Sequence, residues 1–355
     1  MRRIIMPMAV LLGLGTLLWQ CNRDNSNLPQ QSFHESIQSN TEALNNAANA
    51  ISTTDGYKIL TESSSQVKSG DDGEHVYYAD SILIDSIKGA YEFDPSHKMF
   101  KCRDCLYRMF KRTGDDDNLV IKLPEEYVFH PWRIHFLAPE DTTLKNNFTI
   151  TTTNYYYHFA QGWFYDYRLA ASFDTDTSAV GKVKILSHRK SHNDFSYSST
   201  YTFDNDYSIS VSSESGDTTS SSYSLMDGSD VLLKETLMKI RATDSTSRER
   251  VYSLQIGNIE IRRSTAADSI QVYQDGTLQT NVTAKIVDED NNFEDHSICR
   301  KRDIQITYAD GTTTTVSELL APSKEILSDL RDSMHDIYVA KHLIDYIAWN
   351  IYRNK

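Results

Sequence analysis

Between residues 57 and 316 the chain advances in short runs rich in Ser, Thr, Tyr and Val, divided by turn dipeptides and not by helical segments. β-Branched and aromatic side chains suit a pleated, half-buried surface. Strands that follow at such close intervals leave no length for crossover helices, so they must pair antiparallel. Asp275-Gly276 between residues 270–273 and 278–286, and Asp310-Gly311 between 304–308 and 313–316, each predict a hairpin turn. Residues 183–186, 197–203, 207–213 and 221–225 read as successive strands of a meander, followed by 232–240 paired with 250–261. The predicted fold class is α+β, mainly β. It is one large antiparallel sheet, a meander that stays open or curls into a half barrel.

Two segments keep helical spacing instead. In residues 30–51, Phe33, Ile37, Leu44, Ala47, Ala48 and Ile51 fall on one face, and Asp55-Gly56 predicts the end of that helix. In residues 323–353, Ile326, Leu330, Met334, Ile337, Ala340, Ile344, Ile347 and Ile351 recur at steps of three and four. Pro322 before that stripe, and Arg353 and Lys355 at its end, suit the helix polarity. Both stripes are expected to lie on the sheet. Asp332, His335, Asp336, His342 and Asp345 are assigned mostly to the polar face of the second helix. The expected organisation is a leader (1–20), a polar tether (21–29), an N-terminal helix (30–54), an antiparallel β domain (55–320) and a C-terminal amphipathic helix (321–355).

Residues 154–169, NYYYHFAQGWFYDYRL, hold eight aromatic side chains in sixteen positions. A three-residue loop at Ala160–Gly162 would pair Phe159 with Trp163, Tyr157 with Tyr165 and Tyr155 with Tyr167. A two-residue turn would spread aromatics over both faces. The first register segregates the chemistry better, because side chains alternate with period two. It puts Tyr155, Tyr157, Phe159, Trp163, Tyr165 and Tyr167 on one face, and Asn154, Tyr156, His158, Phe164, Asp166 and Arg168 on the other. The six-aromatic face reads either as sheet core or as a ligand wall, since a face rich in Tyr suits a half-wet surface.

At the N-terminus, Arg2 and Arg3 precede an apolar run from Ile4 to Leu18, then Trp19, Gln20 and Cys21. A basic start and a short apolar core make an export signal. With a cysteine directly after the core and Leu18 three residues before it, this leader resembles that of bacterial lipoproteins. Trp19 and Gln20 stand where that family usually has small residues. The resemblance covers the leader alone. It implies lipidation at Cys21, a membrane partner reached through that lipid anchor, and a place in the bacterial cell envelope. Asp-Ser or Asp-Thr followed by an aliphatic residue, Met or Thr is similar to the O-glycosylation motif of Bacteroidetes envelope proteins. That resemblance implies glycans at Ser81, Ser86, Thr142, Thr218, Ser245, Ser269 or Ser333. The same triplets also mark turns that hand over to strands. In that family an acidic run after the lipid cysteine directs surface export; here only Asp24 stands there, so the periplasmic side is favoured.

The formal net charge of −13 disfavours a nucleic-acid partner. Cys102 and Cys105 form a CxxC that reads as a disulfide or as thiols, with a pairing of one of them to Cys299 also open. A zinc site there would need two of His97, His130 and His135. His188, His192 and Asp194 are expected in a solvated loop. The acidic runs at Asp174 and Asp288 lack the Gly and Glu of a calcium loop and read as turns. No nucleophile elbow, zinc-protease helix or phosphate loop is present in the sequence. The sequence therefore names no catalytic residue, no metal ligand and no cofactor, and leans away from an enzyme. Three functions follow in order: an exported, lipid-anchored module binding a glycan or lipid-like ligand through an aromatic sheet face; an accessory envelope lipoprotein acting through a protein partner; and a hydrolase without a signature.

Overall fold

The computed structural model describes residues 32–64, 81–94, 109–128, 145–160, 164–191, 193–241, 248–267, 269–288 and 302–354. Two helices come first, α1 (Phe33–Ser52) and α2 (Asp55–Ser64). Four short strands follow, β1 (Ile82–Leu83), β2 (Gly89–Phe93), β3 (Phe110–Gly114) and β4 (Leu119–Leu123). The meander begins with β5 (Phe148–Ala160), β6 (Phe164–Thr175), β7 (Ala179–Ser191), β8 (Asp194–Phe203) and β9 (Tyr207–Ser215). It continues through β10 (Thr218–Asp227), β11 (Asp230–Arg241), β12 (Arg248–Ile256), β13 (Ile259–Ser264) and β14 (Ile270–Gln274). Then come β15 (Thr277–Leu278), β16 (Thr283–Asp288), β17 (Arg302–Thr307), β18 (Thr313–Thr315), α3 (Val316–Leu320) and α4 (Lys324–Arg353).

From β5 to β14 every strand pairs antiparallel with the next. Beyond β5 the sheet continues through β4, β2 and β3, where β2 and β4 run parallel. Beyond β14 it continues through β16, β17 and β18. The expected fold class is thus observed: one large, mostly antiparallel open sheet with an N-terminal and a long C-terminal helix. The turn at Asp275-Gly276 follows the sequence expectation, with φ of 50° and 74° at the two central residues. A type I′ hairpin needs positive φ at both.

Residues 250–261, expected as one strand, are broken into β12 and β13. Gly257 turns left-handed (φ 58°), and α1 docks on that turn. Asn40 Nδ2 donates to the Ile256 carbonyl (3.1 Å) and to Asn258 Oδ1 (2.7 Å), and Ser36 Oγ donates to the same Asn258 oxygen (3.1 Å). A side chain at residue 257 would collide with the Asn40 amide. A second correction concerns residues 55–64, expected to open the β domain but helical as α2. Thr54 Oγ1 accepts from the Tyr57 backbone N–H (3.1 Å), which caps the helix. Asp55-Gly56 is a close approach and not a chain reversal, because Gly56 is pressed against the Val180 carbonyl of β7.

The apolar stripe of α4 packs on one face of the sheet. Leu330, Ile337, Ala340, Leu343, Ile344, Ile347, Ala348 and Ile351 join one core with Tyr155, Tyr167, Leu169 and Ile185 of the sheet. Before it, Thr315 and Glu318 form a capping box on α3: Glu318 N–H donates to Thr315 Oγ1 (3.2 Å) and Thr315 N–H to Glu318 Oε2 (2.8 Å). All of this core belongs to the unit Phe33–Lys355. Gly56→Ala is expected to lower unfolding stability by about 1–3 kcal/mol, because its methyl overlaps β7 backbone. Gly216→Ala, with open space around it, is expected to stay within about 0.5 kcal/mol. Urea denaturation of the two variants side by side checks the contrast.

Candidate functional site

The aromatic stretch forms the β5–β6 hairpin, in a register different from the expected one. Tyr157 pairs with Tyr167, Phe159 with Tyr165 and Ala160 with Phe164. Every partner is displaced by two residues, so the faces survive although the pairs do not. A displacement of two leaves side chains on the same side of the pleat, whereas a displacement of one would have exchanged them. Strand β5 carries a bulge between Thr152 and Asn154, which lets both stretches of β5 keep their apolar residues inward. Trp163 lies outside the described residues.

The inner half of the six-aromatic face is core. Tyr155, Tyr157 and Tyr167 are buried, while Phe159 and Tyr165 are half-buried against the same cluster. Their phenols meet α4. Tyr155 and Tyr167 both donate to Asp345 Oδ1, at 3.0 and 2.9 Å, and Lys341 Nζ donates to Asp345 Oδ2 at 2.7 Å. Lys341 also lies 4.6 Å from the centre of the Tyr167 ring. Spacing assigns Asp345, Asp336 and His342 mostly to the polar face of the helix. Asp345 and Asp336 are instead buried, because the second half of α4 is enclosed on nearly all sides. Burial, with the Asp345 carboxylate beside them, pushes both phenols well above the ordinary tyrosine range.

The opposite face of the hairpin faces outward and holds a second aromatic set. The rings of His158 and His188 both meet Phe164 edge-on, each at 5.5 Å between centroids. Tyr156 stacks beside His158 at 6.4 Å, and the Arg168 guanidinium covers Tyr156 at 5.3 Å. Arg168 pairs with Asp166 at 3.0 Å. The strand register sets this strip directly: His158 faces Asp166, Asp166 faces His188, and Tyr156 faces Arg168, which faces Leu186. His188 was expected in a loop. It stands within β7, which extends to Ser191. The alternation of the sequence already separated Tyr156, His158 and Phe164 from the buried set; the contribution of β7 could not be read without the register.

Among the glycosylation candidates, Thr218 and Ser269 are exposed at strand ends, and Ser81 is half-buried. Ser86 closes a 3₁₀ turn, its Oγ donating to the Leu83 carbonyl at 2.6 Å. Ser333 is fully buried on α4 and donates to the Leu330 carbonyl at 2.8 Å. No glycosyltransferase could reach it in the folded chain. Thr142, Ser245, Cys21, Cys102, Cys105, Cys299 and His192 lie outside the described residues. Ser178 Oγ, in the acidic turn after Asp174, donates to Asp55 Oδ2 at 2.7 Å; the turn ties α2 to the sheet. Among the described residues no group of three His, Cys, Asp or Glu side chains assembles as a metal site.

Lys341→Met strips the buried Asp345 carboxylate of its cation and is expected to cost about 3–5 kcal/mol in urea unfolding. Adding Asp345→Asn should recover part of that, because an amide oxygen still accepts from the two phenols. A loss under about 1 kcal/mol for the single change would contradict a structural clamp. Raised phenol values also set a sign with pH. The folded chain holds those protons more tightly than the unfolded one, so their contribution is whole below about pH 10, the ordinary tyrosine value. It is lost as pH rises further. Phenolate absorbance should show late-ionising tyrosines, and Tyr167→Phe should flatten the alkaline loss of stability. In comparisons with known proteins, no family model, no curated protein and no solved structure matches this chain.

Proposed function

We propose that this is an exported, lipid-anchored cell-envelope protein that acts by binding, and that its ligand is a glycan held on the outward face of the β5–β7 strands. The observation that carries the reading is the strip of Tyr156, His158, Phe164 and His188 rings, with Arg168 and Asp166 beside it. A sugar ring offers a C–H face to aromatic side chains and hydroxyls at its edge to paired donors and acceptors, and such mixed surfaces fix a ligand's orientation. A lipid-like ligand fits less well, because the apolar face of the sheet that would take its tail is packed against α4. The envelope location is supported by the basic, apolar and cysteine-ended leader. A second reading, an accessory lipoprotein with a protein partner, has one observation in its favour: Leu186, on the same outward face, is 42% exposed.

Two measurements test this. Cys21→Ser should abolish incorporation of labelled palmitate; unchanged labelling would remove the lipid anchor from the reading. Affinity electrophoresis through gels containing bacterial and plant polysaccharides should retard the parent protein. Phe164→Ala with His188→Ala should abolish that retardation while costing about 1 kcal/mol of stability or less, as outward substitutions do. Equal retardation of the double variant, or none of the parent on any glycan, would move the reading to the protein partner.

A further inference from the structure

We propose that the exposed end of the helix-bearing face of the sheet, on β11 to β13, is a docking surface for an anionic lipid bilayer. It begins with an unfavourable register. Lys239 stands directly opposite Arg250. Like charges directly opposite on one sheet face are destabilising. Lys239 and Arg250 are exposed, as is Arg263 on β13, which stands opposite Tyr252. Among the described residues none of these three cations forms an ion pair. Glu235, two positions before Leu237 on this face, is engaged by Arg331 of α4 at 2.7 Å. A chain with a net charge of −13 thus gathers in one place three cations that have no ion pair among the described residues.

Apolar side chains lie among the cations. Leu237 stands directly opposite Tyr252, and the two are 41% and 36% exposed. Further along the same face, Arg189 of β7 covers the half-buried Phe195 of β8 at 5.8 Å. Basic side chains interleaved with Leu and aromatic residues suit the bilayer interface, where cations meet lipid phosphates and the apolar groups enter the head-group boundary. A soluble polyanion would use the cations and leave Leu237 without a role. The surface lies on the opposite side of the sheet from the Phe164 strip, so the two proposals stand or fall separately.

Vesicle flotation of the body, residues 33–355, which contains the whole described core, tests the proposal. The body should float with vesicles of phosphatidylglycerol and phosphatidylcholine in equal parts, stay behind with phosphatidylcholine alone, and be released by salt. Lys239→Gln, Arg250→Gln and Arg263→Gln together should lower partitioning by about a hundredfold, about fivefold for each cation, with an unchanged circular dichroism spectrum. Leu237→Ser with Tyr252→Ser should weaken binding further than salt alone explains. Phe164→Ala should leave it unchanged. Failure to float with the anionic vesicles overturns the proposal, as does full binding by the triple variant. If the Leu237 and Tyr252 changes have no effect while dextran sulfate strips the parent from vesicles, the surface takes polyanions and not a bilayer.

Discussion

An open sheet of this width leaves one face to water along the whole meander unless other elements cover it, and α4, with α1 and α2 beside it, covers it. The apolar stripe supplies most of the driving force, since burial of aliphatic and aromatic area is the dominant favourable contribution to folding. A stripe alone would also tolerate a shift of one helical turn along the trough. Polar contacts oppose that shift. Tyr57 donates to Asp329 (2.7 Å), Arg331 pairs with Glu235 (2.7 Å), and the Asp345 carboxylate receives Tyr155, Tyr167 and Lys341. Two of these contacts lie within one turn, at Asp329 and Arg331, and the third about four turns further on at Asp345, and all are satisfied together in one register. The innermost is the costly one, because burying a charge is tolerated only with its partners in place.

That packing divides the chemistry of the sheet. What lies under α4 is committed to stability, and so the half of the aromatic hairpin that looked like a ligand wall is core. What points outward changes along the meander. On β5 to β7 it is rings and charges, from Tyr156 through Arg168 to Leu186. From β8 to β12 the same row continues as Ser198, Ser212, Ser222, Thr236 and Ser253, each opposite the next. Ser212 and Ser222 are hydrogen-bonded across the strands at 2.8 Å, as are Ser210 and Ser224. The serine-rich composition of residues 196–224 is therefore largely the outward face of the central strands, small hydroxyls that satisfy one another. The strip of rings lies where that hydroxyl row gives way, on β5 to β7.

By itself, the sequence determined the properties that depend on local pattern. Period-two alternation and closely spaced turns made the sheet antiparallel, the three-and-four stripe made α4, and Asp275-Gly276 made its hairpin, because in each case the cause lies within a few residues. Even the two faces of the aromatic hairpin were legible, since a register error of two residues does not exchange them. Only the tertiary structure decided which face would be buried, because either set of aromatics could have met the helix. It decided that Asp345 lies inside, that Gly257 turns to receive Asn40, that Gly56 belongs to a helix pressed on β7, and that His188 completes the outward strip. Each of these depends on a side chain meeting an element a hundred or more residues away, or in a neighbouring strand whose register is set by the sheet as a whole. No spacing within the chain encodes such a meeting.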